Sequence, residues 1–165
     1  MFSVRQSDRS VHEQAVAVYT ALLDAWNRQD APAFAALFAP DGHVTGFDGS
    51  QMNGPGEIAN ELGNIFAHHP TSAYVAKVRE VRSLAPSVTL LRAIVGMIPP
   101  GASALKPDVN AIQSLVLVTD ASSSDQRIAM LQNTPAAFHG RPQLVAEMTA
   151  ELTKVHEAGL LVSAE

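Results

Sequence analysis

The chain has 165 residues, and a domain of this size buries roughly 70% of the surface that its unfolded chain exposes. Hydrophobic residues make up 47% of the sequence, yet no run approaches the roughly 20 apolar residues that a membrane-spanning helix requires. The net charge is −5 and the 11 Lys and Arg residues do not cluster, which argues against a nucleic-acid-binding protein. We therefore expect one domain over residues 1–165 that binds neither membranes nor nucleic acid.

The first ten residues, MFSVRQSDRS, are polar and lack the apolar core of a secretory signal, and the chain contains no cysteine. These features predict a cytoplasmic protein. We expect residues 1–9 to be flexible, because a capping box at Ser10 and Glu13 is typical of a helix start.

Four helices are predicted from the spacing of apolar residues. The first begins at Ser10 and buries a stripe formed by Val11, Ala15, Val18, Tyr19, Leu22, Leu23 and Trp26. A short second helix begins at Asp30 and ends at Pro40–Gly42, and a third follows Gly54 and ends before Pro70. The fourth is marked by Leu144, Met148, Leu152 and Val155, and Gly159 is expected to end it.

Strands are predicted from β-branched and alternating runs between turn signals. Two short strands, 43–47 and 50–52, flank the hairpin dipeptide Asp48-Gly49. Four longer strands, 74–84, 88–98, 110–119 and 127–134, are expected to form an antiparallel meander, with a loop over 99–107. Helices followed by a twisted antiparallel sheet indicate an α+β cone, whose mouth is the default ligand site.

Three stretches of this sequence resemble a known family: AWNRQD (25–30), LFAPDG (37–42) and above all LQNTPAAFHGRP (131–142). Together with the order of elements over roughly 11–155, they resemble the SgcJ/EcaC family. That family belongs to the nuclear-transport-factor-2-like superfamily, beside the SnoaL-like polyketide cyclases and the ketosteroid isomerases. The resemblance implies a homodimeric, cystatin-like cone, and several family members are associated with natural-product gene clusters.

No dinucleotide fingerprint follows a strand, so the oxidoreductase label that the family often carries is not adopted. The pair His68-His69 has no acidic or histidine partner at helical metal-site spacing, so we predict neither a metal nor any other cofactor. The apolar side chains Tyr74, Phe47, Met97 and Met130 are interpreted as core or cavity lining.

His43 follows Gly42 at the start of the first strand, near the end of the Trp26 helix. A histidine beside an aromatic wall could exchange a proton near neutral pH, although a surface or hydrogen-bonded histidine is the alternative. We therefore name His43 as a candidate general acid or base, with Trp26 in the wall of the site.

Buried amides cost free energy unless they are hydrogen-bonded, so amides in apolar strands either anchor the structure or contact a ligand. Four such side chains are candidates, namely Asn110, Gln113, Gln132 and Asn133. Adjacent strand positions face opposite sides, so only one of Gln132 and Asn133 can point into the cone. The sequence does not say which. Amides such as Gln113 and Asn133 are our candidates to orient a carbonyl and stabilise an enolate oxygen.

Thr134-Pro135 ends the last long strand, and Pro142 lies in the first turn of the last helix. Between them, Phe138 is predicted to plug one end of the cavity or of a dimer interface. His139 and Arg141 either line that end or lie in a solvated loop. The candidate site thus contains His43 and Asn133 as catalytic residues, with binding residues Trp26, Phe47, Met97, Asn110, Gln113, Gln132, Phe138 and His139.

Three functions are consistent with these patterns. The first is a cofactor-independent isomerase or cyclase acting on a hydrophobic, polyketide-like metabolite. The second is a binding or carrier protein that shelters a reactive metabolite without changing it. The third is a dimeric interaction module whose cone is filled by its own side chains.

Overall fold

A computed structural model describes the backbone of residues 2–164 and the side chains of residues 10–164. Four α-helices are found in this part of the chain: α1 (Phe2–Asn27), α2 (Ala31–Ala35), α3 (Gly54–His68) and α4 (Pro142–Glu157). Seven strands accompany them: β1 (Phe38–Thr45), β2 (Gln51–Asn53), β3 (Ala73–Ala85), β4 (Val88–Ile98), β5 (Ala111–Thr119), β6 (Gln126–Pro135) and β7 (Val162–Ala164). A 3₁₀ turn covers Pro107–Val109 in the predicted loop after β4.

The strands form one sheet in the order β2-β1-β6-β5-β4-β3-β7. Its centre is the predicted antiparallel meander of β3, β4, β5 and β6, so the α+β prediction is confirmed. Two pairings are parallel, β1 with β6 and β7 with β3, and β7 was not predicted. Bulges in β3 and β6 break the regular pairing, and bulges increase twist and bend a sheet.

Helix α1 begins at Phe2, so the predicted start at Ser10 is wrong. Ser10 lies inside the helix, where its backbone does not have the extended conformation of a capping residue. The predicted apolar stripe is nevertheless buried at Ala15, Tyr19, Leu22 and Leu23. The expected flexibility of residues 1–9 lies outside the residues whose side chains are described, and it stays a prediction.

The second difference concerns Leu37 to Gly42, which was predicted to complete α2. The helix ends at Ala35 instead, and β1 begins at Phe38 beside Ile128 of β6. The Pro40-Asp41-Gly42 sequence produces an irregularity within β1 rather than a helix end. A β-carbon on Gly42 would stand only 2.5 Å from the Ile128 carbonyl oxygen, so this close approach of two backbones requires glycine.

The sheet separates two hydrophobic clusters. The larger cluster lies between the sheet and helices α1, α2 and α3 and includes Leu22, Leu91 and Leu115. The smaller lies under α4 and includes Ile94 and Leu152. We call these sides the cavity face and the α4 face of the sheet. None of the helices described here combines the length and hydropathy that crossing a membrane requires.

Candidate functional site

An apolar cavity of about 360 Å³ opens on the cavity face, between helices α1 to α3 and the sheet. Its volume falls within the range of about 300–1,000 Å³ that is usual for small-molecule sites. Most of its lining is apolar, contributed by Leu22, Leu23, Trp26, Phe34, Val44, Phe47, Met52, Leu62, Ile65, Tyr74, Met97 and Leu131. A few polar side chains therefore decide how a bound molecule would be oriented.

Trp26 forms an aromatic wall at the end of α1. Its indole N–H donates to the Ser72 carbonyl oxygen at 2.9 Å, which holds the ring in place. Ring centroids of Phe66 and Tyr74 lie 5.2 and 5.3 Å away, and Phe34 lies at 6.3 Å. Because its N–H is already bonded, Trp26 offers a ligand its apolar ring and no hydrogen bond.

Three polar side chains form a chain of hydrogen bonds from the core to the cavity. The Tyr19 hydroxyl of α1 donates to Gln113 Oε1 of β5 at 2.6 Å. Gln113 Nε2 in turn donates to Asn133 Oδ1 of β6 at 2.8 Å. Tyr19 is fully buried and Gln113 is 1% exposed, whereas Asn133 is half-buried and lines the cavity beside Gln113. We refer to these three residues as the relay.

The relay leaves a hydrogen-bond donor at the cavity. Burial raises the pKa of Tyr19 well above its ordinary value, so its hydroxyl stays protonated and donates. Asn133 uses its carbonyl oxygen to accept from Gln113, and no residue among 10–164 accepts from Asn133 Nδ2. The N–H groups of Asn133 are therefore free to bind an acceptor.

Tyr74 of β3 also lines the cavity and is the tyrosine of this lining among residues 10–164. Burial raises the pKa of Tyr74 to about 12, so the group is neutral at physiological pH. Its backbone is held by Asn27 through bonds of 2.8 and 3.1 Å, but its hydroxyl bonds to no residue among 10–164. Tyr74 is thus a second polar group that a ligand could reach.

The carboxylates of the lining belong to Asp48 and Glu61, and both residues are exposed. Asp48 accepts a bond from the Ser50 backbone N–H at 2.9 Å, and this bond lowers the pKa of its carboxyl group. Their exposure places both charges at the solvent-facing rim, while the buried polar groups of the lining are neutral. None of the histidines among residues 10–164 lines the cavity.

Five of the predicted site residues line the cavity: Trp26, Phe47, Met97, Gln113 and Asn133. The alternative between Gln132 and Asn133 is decided by the pairing of β6. Asn133 lies opposite Gln113 and faces the cavity, whereas Gln132 lies opposite Ser114, is exposed and does not line it. The binding role predicted for Gln132 therefore has no support from its position.

His43 also lies outside the cavity, contrary to the prediction. Its neighbour Val44 lines the cavity, and successive side chains of a strand face opposite sides. His43 is half-buried beside Met130 and Asn53 on the neighbouring strands. No contact with the cavity supports the proton-transfer role that the sequence suggested.

Asn110 is placed by the structure under α4 rather than in the cavity. It is 1% exposed, and its Nδ2 donates to Thr149 Oγ1 at 2.9 Å. Its Oδ1 has no hydrogen-bond partner among residues 10–164 and faces Gly96, whose β-carbon, if present, would stand 3.3 Å away. Asn110 is therefore a structural anchor for α4. It lies away from the cavity in which it was predicted to contact a ligand.

The stretch after β6 also belongs to the α4 face. Phe138 packs against the smaller cluster with a backbone φ of 44°, and the Arg141 guanidinium lies 5.9 Å from its ring centroid. His139 is exposed and does not line the cavity. Phe138 thus covers the core under α4, and neither residue forms the predicted end of the cavity.

Sequence reasoning missed the role of Tyr19, which was recognised only as part of the buried stripe of α1. The available signal was its hydroxyl, because a buried tyrosine usually finds a hydrogen-bond partner. The contributions of Met52, Ile65 and Glu61 were also missed. They depend on how α3 and β2 close over the sheet, which their local patterns do not specify.

No protein-family model matches this sequence, and no curated protein matches it. Among solved structures, the chain is similar to a domain of unknown function with a cystatin-like fold from Nostoc punctiforme. That match has a TM-score of 0.72 and 22% identity, and it covers 90% of this chain and 96% of the other.

Two further structures have the same architecture. An NTF-2-like protein of unknown function from Shewanella oneidensis matches with a TM-score of 0.60 and 13% identity, over 74% of this chain and 97% of the other. A ketosteroid isomerase-like protein from Erwinia carotovora matches with a TM-score of 0.57 and 20% identity, over 73% and 92%. These similarities show that the chain has the NTF2-like, cystatin-like cone fold.

Proposed function

We propose that this protein binds an apolar, ring-bearing metabolite and holds it by a carbonyl oxygen at Asn133. The observation that carries the proposal is the free Nδ2 of Asn133, which the relay presents to an otherwise apolar cavity. Aromatic walls and a few placed polar groups are the usual composition of a small-molecule site. A carbonyl that is buried here without the Asn133 bond would lose its hydrogen bonds to water, so this contact selects acceptor-bearing molecules.

Binding without chemical change is the function that the geometry supports best. General acid-base catalysis needs a titrating group within reach of the substrate. The less exposed part of the lining offers two neutral amides and one neutral tyrosine, Tyr74, whereas the carboxylates of Asp48 and Glu61 are exposed at the rim. A carrier needs only the cavity and its donor. The open cavity of about 360 Å³ argues against the third function, an interaction module whose cone is filled by its own side chains.

A cofactor-independent isomerase or cyclase is the second candidate. Two neutral donors, Tyr74 and Asn133, line the same cavity, and paired donors stabilise an enolate oxygen. The base would then have to be Asp48 or Glu61 at the rim. Incubation of a bound polyketide-like ketone in deuterated water distinguishes the two functions. A carrier returns the ketone without added deuterium exchange, whereas an isomerase exchanges its α-protons above the uncatalysed rate.

Trp26 is the one tryptophan of the chain and lines the cavity, so its fluorescence reports binding. We would titrate the wild type with fluorenone, a planar ketone, and with fluorene, which has the same frame without the oxygen. We expect both to quench Trp26, with fluorenone bound more tightly. Absence of quenching by either compound up to its solubility limit would overturn the proposal.

Asn133→Leu removes the donor while keeping the side chain close to its original size. We expect fluorenone binding to weaken by roughly 3- to 10-fold, which corresponds to one hydrogen bond, with fluorene affected little. Gln132→Leu is the matched control, because this neighbour in β6 does not line the cavity. An equal loss of fluorenone affinity in both variants would show that Asn133 does not bind the carbonyl oxygen.

We extend the proposal to membership of the SgcJ/EcaC family, with a natural-product metabolite as ligand and a cytoplasmic homodimer as the working form. The QNTPAAFHGRP stretch and the cone fold support this assignment. Native mass spectrometry of the purified protein, followed by denaturing release, reports both the mass of the assembly and any retained molecule. A clean monomer would contradict the dimer, and a released polar or ionic molecule would contradict the ligand class.

A further inference from the structure

We infer that Tyr19 is a positioning residue that makes the cavity a donor site, and so determines that its ligand must present an acceptor to Asn133. Tyr19 does not line the cavity; it acts through Gln113. The inference rests on the proposed function, since it specifies which ligands that same cavity accepts.

The first step is the confinement of the Tyr19 hydroxyl. Tyr19 is fully buried in α1. Among residues 10–164, its hydroxyl forms one hydrogen bond, which it donates to Gln113 Oε1. No water reaches a fully buried hydroxyl to replace this acceptor. Because an unpaired buried hydroxyl is costly, Gln113 must turn its carbonyl oxygen toward Tyr19.

The second step is the orientation of the two amides. With Oε1 turned toward Tyr19, Gln113 directs Nε2 toward Asn133. Asn133 therefore accepts this hydrogen bond with Oδ1, at 2.8 Å. A reversed relay would have Asn133 Nδ2 donate to Gln113 Oε1, which would leave Oδ1 of Asn133 facing the cavity. That arrangement places Gln113 Nε2 against the Tyr19 hydroxyl, whose proton then has no acceptor. The Tyr19 hydroxyl therefore fixes the direction of the hydrogen bonds in the relay.

The third step concerns the ligand. In the locked relay a ligand carbonyl meets two N–H groups of Asn133, whereas a ligand N–H that cannot accept, such as that of carbazole, meets a second donor. A donor that is buried against Asn133 loses its hydrogen bond to water and gains none from the relay, which weakens binding. Without the Tyr19 hydroxyl, both relay directions leave one polar atom of Gln113 unpaired, so neither direction has a clear advantage. The cavity would then accept a donor as readily as an acceptor.

Tyr19→Phe tests the inference because it keeps the buried ring and removes the hydroxyl. We would measure the dissociation constants of fluorenone, carbazole and fluorene by equilibrium dialysis. These tricyclic probes present an acceptor, a donor and neither group at the same position. Each probe is compared with itself between wild type and variant, so that differences in hydrophobicity cancel.

In the variant we expect fluorenone to weaken by about 2-fold, since a relay divided between two directions presents the donor about half of the time. Carbazole is expected to tighten by roughly 3- to 10-fold, because the released relay can turn to accept its N–H. Fluorene should change little. In an Asn133→Leu background these shifts should be much smaller, because Gln113, the relay residue that still lines the cavity, is only 1% exposed.

A purely structural role for Tyr19 predicts a different result. If Tyr19→Phe changed all three dissociation constants by the same factor, the inference would be overturned while the proposed function stood. If the wild type bound none of the probes, the proposed function would fail first. Should the variant fold poorly, Gln113→Leu breaks the same relay, and it should reduce the preference of the cavity for fluorenone over carbazole. An unchanged preference in a folded Gln113→Leu variant would overturn the inference as well.

Discussion

Asn110 and Gln113 are two amides of nearly equal burial, three residues apart beside and within β5, and they have different surroundings. Gln113 faces α1 and connects Tyr19 to the cavity-lining Asn133. Asn110 faces α4 and bonds to Thr149. An odd separation along a strand reverses the face. The sequence presents these two amides alike, but the structure gives them different roles: Gln113 belongs to the candidate site, and Asn110 anchors α4.

The difference extends to the two faces of the sheet. Under α4, the side chains of Leu105, Met148, Leu152 and Phe138 form a closely packed cluster. On the other face, three helices cover a strongly bent sheet and leave a cavity of about 360 Å³. Polar groups under α4 therefore serve packing, whereas polar groups at the cavity remain available to a ligand.

Leu152→Ala should give the largest effect on stability. Leu152 is fully buried under α4, and removing such a side chain costs about 2–5 kcal/mol of unfolding free energy. Met97→Ala, which enlarges the cavity, should lower the unfolding free energy less, because the Met97 side chain already borders open space. Urea unfolding measures both. We expect folded Leu152→Ala to bind fluorenone within about 2-fold of wild type, as additivity between distant sites implies; a larger change would show that the two faces are coupled.

Alkaline pH provides a smaller test of the cavity face. The folded pKa of Tyr74 is raised to about 12 and that of Tyr19 is also raised, so the folded chain keeps protons that the unfolded chain loses above about pH 10. These two tyrosines should therefore leave the unfolding free energy unchanged below pH 10. It should fall between pH 10 and 12, on the order of 1 kcal/mol per pH unit for each retained proton.

Tyr74→Phe should remove part of this alkaline slope, and urea unfolding at several pH values would measure it. Tyrosinate absorbance near 295 nm provides an independent check. Ionisation of both tyrosines at pH 10 in a chain that remains folded would contradict their burial.

His43→Ala should give the smallest effect of the series. His43 is half-buried outside the cavity, so we expect a change within about 0.5 kcal/mol in stability and an unchanged dissociation constant for fluorenone. Isothermal titration and urea unfolding would measure both quantities. Loss of binding in a normally folded variant would show that the imidazole reaches the ligand and would restore it as a candidate acid or base.

The sequence by itself determined the order of elements as far as α4, the buried stripe of α1, the central meander and the apolar character of the cone. Each depends on a local pattern: a helical spacing of three and four residues, β-branched runs, or a turn dipeptide. The cavity residues that sequence reasoning placed correctly, Trp26, Phe47, Met97 and Gln113, come from these patterns. AWNRQD and the stretch after β6 pointed to the correct fold, although Phe138 and His139 lie away from the cavity.

Only the tertiary structure decided which face each strand residue occupies. In β6, Ile128 is buried opposite Leu117, and regular alternation from it would place Gln132 on the cavity face. The register shifts after Ile128, so the cavity face passes to Leu131 and Asn133 instead. A bulge depends on pairing between strands, which a local pattern does not reveal. The relay joins residues 94 and 20 positions apart for the same reason, through packing of the whole chain.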